Sequence, residues 1–145
     1  QFWGDIFWGT LDYLVVDLPP GTSDASLTVM QSLPISGIVL VTSPQDLAGM
    51  VVRKAANMAH QMGTPILGLI ENMSYFECPD TGKRYDIFGP SHADAVAAQI
   101  GVPLLGRLPI DPEIARLSDA GRIEEYTADG FAEIARELTG RMVAA

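Results

Sequence analysis

The sequence predicts an α/β fold, a mostly parallel sheet with flanking helices. Four short apolar runs, at residues 12–18, 37–42, 65–70 and 103–108, have the length of strands that are buried on both faces. Stretches with helical spacing of apolar residues separate them. This alternation is typical of right-handed βαβ units on a parallel sheet. We therefore expect a single domain over residues 1–145.

Composition excludes several classes of protein. Hydrophobic residues make up 48% of the 145 residues and charged residues 19%, which is typical of a globular domain with a real core. The net charge of −9 argues against a nucleic-acid partner, because such partners need clustered Lys and Arg. Gly, Pro or charge interrupts every apolar run, so no membrane span is predicted. The single cysteine and the lack of a signal-peptide pattern favour a cytoplasmic protein.

The first strand-like run ends in a carboxylate. The eleven residues before it hold both tryptophans and predict a short helix or turn against the sheet edge. Asp17 is costly inside a buried sheet, so we expect it at the carboxyl edge, where α/β folds bind ligands. A strand that ends in Asp and then turns through Gly21 is typical of a Walker B strand, whose carboxylate holds Mg²⁺, usually through water. The alternative is that Asp17 only caps the turn.

Two helices are predicted before the third run. Ser23 or Asp24 provides an N-cap for the first helix. The second helix follows the second strand, with Ser43 as N-cap and Pro44 at its first position, and ends at Gly63. Its inner face is expected to carry Leu47, Met50, Val51, Ala55, Met58, Ala59 and Met62.

The third run leads into Asn72 and then into an irregular excursion, residues 74–89, which contains Cys78. A helix is predicted from Ser91. His60 and His92 have no metal-ligand spacing and are expected on the surface.

The fourth run precedes two further helices. Asp111 caps and Pro112 starts a short helix that ends at Gly121. A last helix, from about Asp129, is expected to bury Phe131, Ile134, Ala135, Leu138 and Met142.

Several of these segments occur in the order of a known family: residues 12–22, 41–46, 71–76, 86–89, 101–106 and 108–111. Together they resemble the Mrp family of iron–sulfur cluster carrier ATPases, which belong to the MinD-like branch of the P-loop NTPases. The resemblance covers nearly the whole chain up to about Gly121. No Gly-x-x-x-x-Gly-Lys-Ser/Thr phosphate loop occurs in the 145 residues. The resemblance thus implies the C-terminal portion of a P-loop NTPase domain, from Walker B onward.

The resemblance also implies roles for particular residues. Asp17 would organise Mg²⁺ beside ATP, and Gly21 and Thr22 would lie in the switch segment that senses the γ-phosphate. Asn72 would read adenine, and the loop with Pro109 and Asp111 would line the base. From the residues alone, the alternative for Asn72 is that it satisfies a turn, and Asp111 is also an ideal N-cap, a role that can coexist with a nucleotide contact.

Cys78 is the candidate cluster ligand. Family members that carry clusters commonly have Cys-x-x-Cys here, so that a dimer supplies four thiolates to one 4Fe–4S cluster. In this chain Thr81 replaces the second cysteine. A labile or absent cluster is therefore the hypothesis. A lone cysteine is otherwise usually a small buried residue.

The resemblance implies an ATP-binding protein that transfers iron–sulfur clusters to apo-proteins and couples ATP hydrolysis to the state of a homodimer. Without a phosphate loop, this chain alone is expected to hydrolyse ATP poorly. One alternative is a MinD-like regulatory ATPase whose excursion docks a partner without metal. Another is a non-catalytic interaction domain.

Overall fold

A computed structural model describes residues 3–143. Within these residues the strands are β1 (Ile38–Thr42), β2 (Ile66–Glu71), β3 (Phe76–Glu77), β4 (Arg84–Tyr85) and β5 (Leu104–Arg107). The α-helices of the same range are α1 (Asp24–Ser32), α2 (Asp46–Gln61), α3 (Ala93–Ile100), α4 (Pro112–Asp119) and α5 (Asp129–Val143). A short 3₁₀ helix, Ile123–Glu125, precedes α5.

Three strands form a parallel sheet in the order β1-β2-β5. Helices α2 and α3 pack on one face of this sheet and α5 packs on the other. The larger core lies under α2 and α3 and contains Leu40, Val52, Ala56, Leu69, Ala93, Val96 and Ala97. The predicted α/β fold with a parallel sheet is confirmed.

The prediction of a strand at residues 12–18 is wrong for this structure. The segment pairs with no strand among the described residues, and its side chains are largely exposed, Val15 to 90%. A strand exists only when a neighbour takes up its backbone hydrogen bonds, and an apolar run alone cannot provide that neighbour. Trp3 and Trp8 are likewise exposed, so the expected packing of the first residues against the sheet edge is not observed.

Helix α2 occupies its predicted place but differs in its cap and its inner face. It begins after Gln45, not after Ser43, whose hydroxyl bonds the Gln45 side chain. Its buried residues are Gly49, Val52, Ala56, Met58 and Ala59. Leu47 is 68% exposed and Met50 is exposed as well. Small residues allow the closest approach to the sheet and to α3, so the face that carries them is the inner one.

Helices α1 and α5 begin where the sequence patterns predict, whereas α3 begins at Ala93, two residues after the predicted start at Ser91. Ser23 is the N-cap of α1 and accepts from the Ser26 amide at 3.3 Å. Helix α5 begins at Asp129 and buries Ile134. Phe131 and Ala135 are exposed, contrary to expectation, and Phe131 instead packs edge-on against the Tyr126 ring at 5.6 Å.

The excursion after β2 is not irregular throughout. Strands β3 and β4 form a small antiparallel hairpin, closed by the hydrogen bond from the Cys78 amide to the Lys83 carbonyl at 3.0 Å. Two-residue strands are too short for a periodic pattern to reveal. As predicted, His60 and His92 are exposed. Within residues 3–143, none of the helices has the length and hydropathy needed to cross a membrane.

Candidate functional site

The last residues of the three parallel strands lie side by side. Thr42 of β1 is in register with Glu71 of β2, and Glu71 is in register with Arg107 of β5. Beyond them each strand leads into a loop or a helix. The carboxyl edge of a parallel sheet is where α/β proteins place their ligands. This edge is therefore the candidate functional site.

The turn after β2 directs Asn72 at this edge. The Asn72 amide donates to the Thr42 carbonyl at 2.8 Å, and its side-chain Oδ1 accepts from the Met73 amide at 2.9 Å. Asn72 is exposed, and its side-chain NH₂ group has no hydrogen-bond partner among the described residues. The oxygen thus serves the turn, which was one of the two predicted roles, and the NH₂ group is left for a ligand to occupy.

The segment after β5 lies against the same turn. The Leu108 amide donates to the Glu71 carbonyl at 2.8 Å, and the Ser74 amide donates back to the Leu108 carbonyl at 2.9 Å. The Ile110 amide donates to the Tyr75 carbonyl at 2.7 Å. Main-chain hydrogen bonds therefore join the residues on both sides of Asn72 to residues 108 and 110, although 36 positions separate Asn72 from Leu108 in the sequence.

Asp111 has two hydrogen-bonded oxygens. Oδ1 accepts from the Glu113 amide at 2.9 Å, which confirms the predicted cap of α4. Oδ2 accepts from the Tyr126 hydroxyl at 2.7 Å. Burial, and then the adjacent Asp111 carboxylate, raise the pKa of Tyr126 to about 12. Sequence reasoning missed Tyr126, because no motif links an aromatic residue beyond a helix to the cap of that helix.

Glu71 is a second residue that sequence reasoning missed. It is only 1% exposed, and its Oε2 accepts from the Ser74 hydroxyl and lies 3.8 Å from Arg107 Nε. Oε1 is buried with no hydrogen-bond partner among the described residues. A cavity of about 180 Å³ adjoins Glu71 between the first turns of α2 and α3, and Arg53 and His92 also line it. The available signal was the one used for Asp17, a carboxylate at the end of an apolar run.

Cys78 lies at the start of the hairpin turn and is partly exposed. The Gly82 amide donates to the Cys78 carbonyl at 2.8 Å, which closes the turn. The Thr81 hydroxyl, followed by the backbone amides of Asp80 and Thr81, stabilises the thiolate and lowers the pKa of Cys78 below its ordinary value. The described residues contain no group of three or more His, Cys, Asp or Glu side chains arranged to hold a metal.

The other predicted residues lie apart from this cluster. Asp17 is exposed and makes no hydrogen bond or ion pair with any described residue. Gly21 has a φ of +80°, which favours glycine, and a Cβ added there would lie 4.0 Å from Val51. Thr22 is exposed. No hydrogen bond in the described part of the chain links these three residues to Asn72 or Asp111.

A parallel sheet covered on both faces, with loops at its carboxyl edge, places the chain in the class of α/β folds that bind ligands at this edge. Residues 1–142 match the family described as ParA, the NUBPL iron-transfer P-loop NTPases, and the chain belongs to this family. The resemblance drawn from the sequence segments is thereby confirmed.

Named relatives agree with this assignment. The chain is 49% identical over 122 residues to an iron–sulfur cluster carrier protein of Saccharolobus solfataricus, covering 83% of this chain and 41% of the relative. It is 42% identical to one of Pyrococcus furiosus, covering 98% and 50%. A solved structure, a nucleotide-binding protein of Archaeoglobus fulgidus in complex with ADP and with Co, superposes with a TM-score of 0.80 at 49% identity, covering 90% of this chain and 54% of that one. The chain spans about half the length of these proteins.

Proposed function

We propose that this chain is part of a cytoplasmic ATP-dependent carrier that holds iron–sulfur clusters and delivers them to apo-proteins. The observation that carries the proposal is the similarity to named cluster carriers over up to 98% of the chain at 42% identity. Because the chain spans about half of those proteins, the activity is assigned to the complete native chain that contains these residues.

The adenine of ATP is proposed to lie between Asn72 and the loop with Pro109 and Asp111. An amide side chain both donates and accepts, as the edge of adenine does. Two observations support this placement: the Asn72 NH₂ group has no partner among the described residues, and hydrogen bonds hold residues 108 and 110 against the turn that carries Asn72. Asp111 keeps its cap and its Tyr126 bond in this role, because a carboxylate accepts more than two hydrogen bonds.

Asp17 is proposed to organise Mg²⁺ at the phosphates, with Gly21 and Thr22 in the segment that senses the γ-phosphate. An exposed, unpaired carboxylate is a suitable oxygen donor for this hard cation. The complete chain must supply the phosphate loop and a strand that pairs with residues 12–18. Hydrolysis would then depend on positioning water and neutralising charge.

The cluster is the cargo, and Cys78 is its proposed ligand. One thiolate per chain does not provide the four that a 4Fe–4S cluster prefers, and the Thr81 hydroxyl is a poor iron ligand. A homodimer would bring two thiolates to one cluster and leave half of the irons to other ligands. Such a cluster would be loosely held, which suits transfer.

Iron content tests the cluster role. The complete native chain, reconstituted with iron and sulfide under anaerobic conditions, is expected to bind iron that Cys78→Ser loses. Thr81→Cys, which restores Cys-x-x-Cys, should retain iron longer during gel filtration. Equal iron in the native chain and in Cys78→Ser would refute the assignment.

Nucleotide binding tests the role of Asp17. In the complete chain, Asp17→Asn should abolish the Mg²⁺-dependent part of ATP affinity and hydrolysis. Asp12→Asn is the matched control, because Asp12 is an exposed carboxylate on the same segment. If both variants behave alike, Asp17 does not organise the metal.

The second candidate, a MinD-like regulatory ATPase without a cluster, is favoured by one observation, Thr81 in place of the second cysteine. It predicts ATP binding with no iron bound at Cys78, so the iron measurement separates the two functions.

A further inference from the structure

The turn that carries Asn72 has an unusual backbone. Met73 has a φ of +55°, the one described residue other than glycine with a positive φ. Side chains with a Cβ seldom adopt this left-handed conformation, and it persists only where its surroundings hold it. The turn follows β2 directly, so this conformation sets the direction in which Asn72 leaves the sheet.

The buried carboxylate of Glu71 holds the end of this turn that follows Met73. Glu71 Oε2 accepts from the hydroxyl of Ser74, the residue that follows Met73, and Ser74 is itself buried. Arg107 Nε lies 3.8 Å from the same oxygen, and Arg107 in turn donates to Ser91 at 3.1 Å and pairs with Asp94. Glu71 and Ser74 thus clamp both ends of the Asn72–Met73 pair.

We propose that Glu71 is a positioning residue for Asn72, and that its bond to Ser74 sets base selectivity by holding the Met73 turn. This inference rests on the proposed adenine role of Asn72. Without the bond, Met73 relaxes toward a commoner backbone conformation and the Asn72 amide points elsewhere. The residues proposed to contact the phosphates, Asp17, Gly21 and Thr22, belong to another segment of the chain, so phosphate binding should be unaffected.

A purely structural role would not call for this residue type. A buried carboxylate is costly, and Glu71, which lines a cavity, leaves its Oε1 without a hydrogen-bond partner in the described part of the chain. A neutral side chain in place of Glu71 would accept a weaker hydrogen bond from the Ser74 hydroxyl. Charge-assisted hydrogen bonds are shorter and about twice as strong as neutral ones, which suits a turn that must be held against backbone strain.

The experiment measures the dissociation constants of ATP and GTP for the complete native chain and its variants. Ser74→Ala should reduce the preference for ATP over GTP by about tenfold, the equivalent of one lost hydrogen bond. Glu71→Gln keeps an acceptor oxygen and should reduce the preference by a smaller factor. The affinity for inorganic tripolyphosphate should stay unchanged in both. Ser118→Ala, an exposed serine in α4, is the matched control.

A rescue separates positioning from general stability. Glycine adopts positive φ without the steric cost of a side chain, so Met73→Gly should restore part of the ATP preference in the Ser74→Ala background. A merely structural role of the clamp predicts lower thermal midpoints with the ATP-to-GTP ratio intact, and that result would overturn the inference.

Different results would refute the adenine role of Asn72 and the positioning role of Glu71. If the native chain shows no preference for ATP, or if Asn72→Ala keeps that preference, the adenine role falls and the positioning role falls with it. If Asn72→Ala abolishes the preference while Ser74→Ala and Glu71→Gln keep it, only the positioning role is refuted.

Discussion

Tyr126 donates its phenol hydrogen to Asp111 Oδ2 over 2.7 Å and so ties the end of the 3₁₀ helix to the start of α4. The other oxygen of Asp111 caps α4 at the Glu113 amide. Asp111 is thus held by a residue 15 positions away as well as by its own helix. The loop proposed to line the adenine depends on this contact for its position.

Removing the Tyr126 hydroxyl should weaken the fold. We expect Tyr126→Phe to lower the free energy of unfolding by about 1 to 2 kcal/mol, because a partly buried bond to a carboxylate is lost while the edge-on contact with Phe131 remains. Urea unfolding of the 145-residue chain measures this. Tyr85→Phe, on an exposed strand, is the control and should stay within a few tenths of a kcal/mol of the native chain.

The same pair makes stability depend on alkaline pH. The pKa of Tyr126 is raised from 10.0 to about 12, so the native state keeps its proton where the unfolded state has released it. Stability from this group is full below pH 10 and is lost as pH rises toward 12. Tyr126→Phe should flatten this part of the pH profile. Phenolate absorbance of Tyr126 appearing at the ordinary tyrosine pKa would contradict the prediction.

Thr81 should make Cys78 more reactive. Its hydroxyl is the leading cause of the lowered pKa of the Cys78 thiol, so Thr81→Val should raise that pKa and slow alkylation at neutral pH. Thr81→Ser keeps the hydroxyl and is the matched control. The pH dependence of iodoacetamide labelling gives the pKa directly. Identical profiles for the valine and serine variants would show that the hydroxyl has no part in it.

Gly68 in β2 has no room for a side chain. A Cβ there would lie 2.5 Å from Leu105 Cγ, so Gly68→Ala should destabilise the fold by about 1 to 3 kcal/mol. Gly140 in α5 has nothing within 4 Å of such a Cβ, and Gly140→Ala should stabilise by about 0.5 to 1 kcal/mol. Thermal unfolding of both variants tests the pair. A neutral Gly68→Ala would mean that Leu105 moves aside without cost.

Residues 12–18 should be poorly protected in the 145-residue chain. Their amides have no strand partner in the described structure, whereas Leu69 lies in the central strand and is fully buried. Hydrogen exchange followed by mass spectrometry should show fast exchange for this segment and slow exchange for β2. In the complete native chain, the proposed pairing predicts protection of the same segment. Equal protection in both chains would refute that pairing.

Patterns that are local in the sequence predicted local structure well. The cap at Asp111 with Pro112, the start of α5 at Asp129 and the cap at Ser23 occur where expected, because each depends on residues within one helical turn. The predicted inner face of α2 was wrong. Periodicity shows that the helix has an apolar stripe, but it does not show which edge of that stripe packs against the sheet and α3. Leu47 is the clearest case.

The candidate site likewise contains residues that the sequence predicted and residues that it did not. The resemblance implied that Asn72 and the loop with Pro109 and Asp111 surround one base, and main-chain hydrogen bonds do join the residues beside Asn72 to residues 108 and 110. Glu71 and Tyr126 were not predicted from the sequence, because their partners Arg107 and Asp111 are distant in the chain and become neighbours only in the folded protein. The roles of Asp17, Gly21, Thr22 and Cys78 remain predictions for the experiments above.

The sequence by itself determined the α/β class, three of the four predicted strands, the helix caps at Ser23 and Asp111 and the family, because these depend on residue type and short-range spacing. Tertiary structure alone decided that residues 12–18 stay unpaired, which face of α2 is buried and which carboxylate clamps the Asn72 turn. Strand pairing, packing and the burial of charge are properties of contacts between distant residues, and no single stretch of the chain contains them.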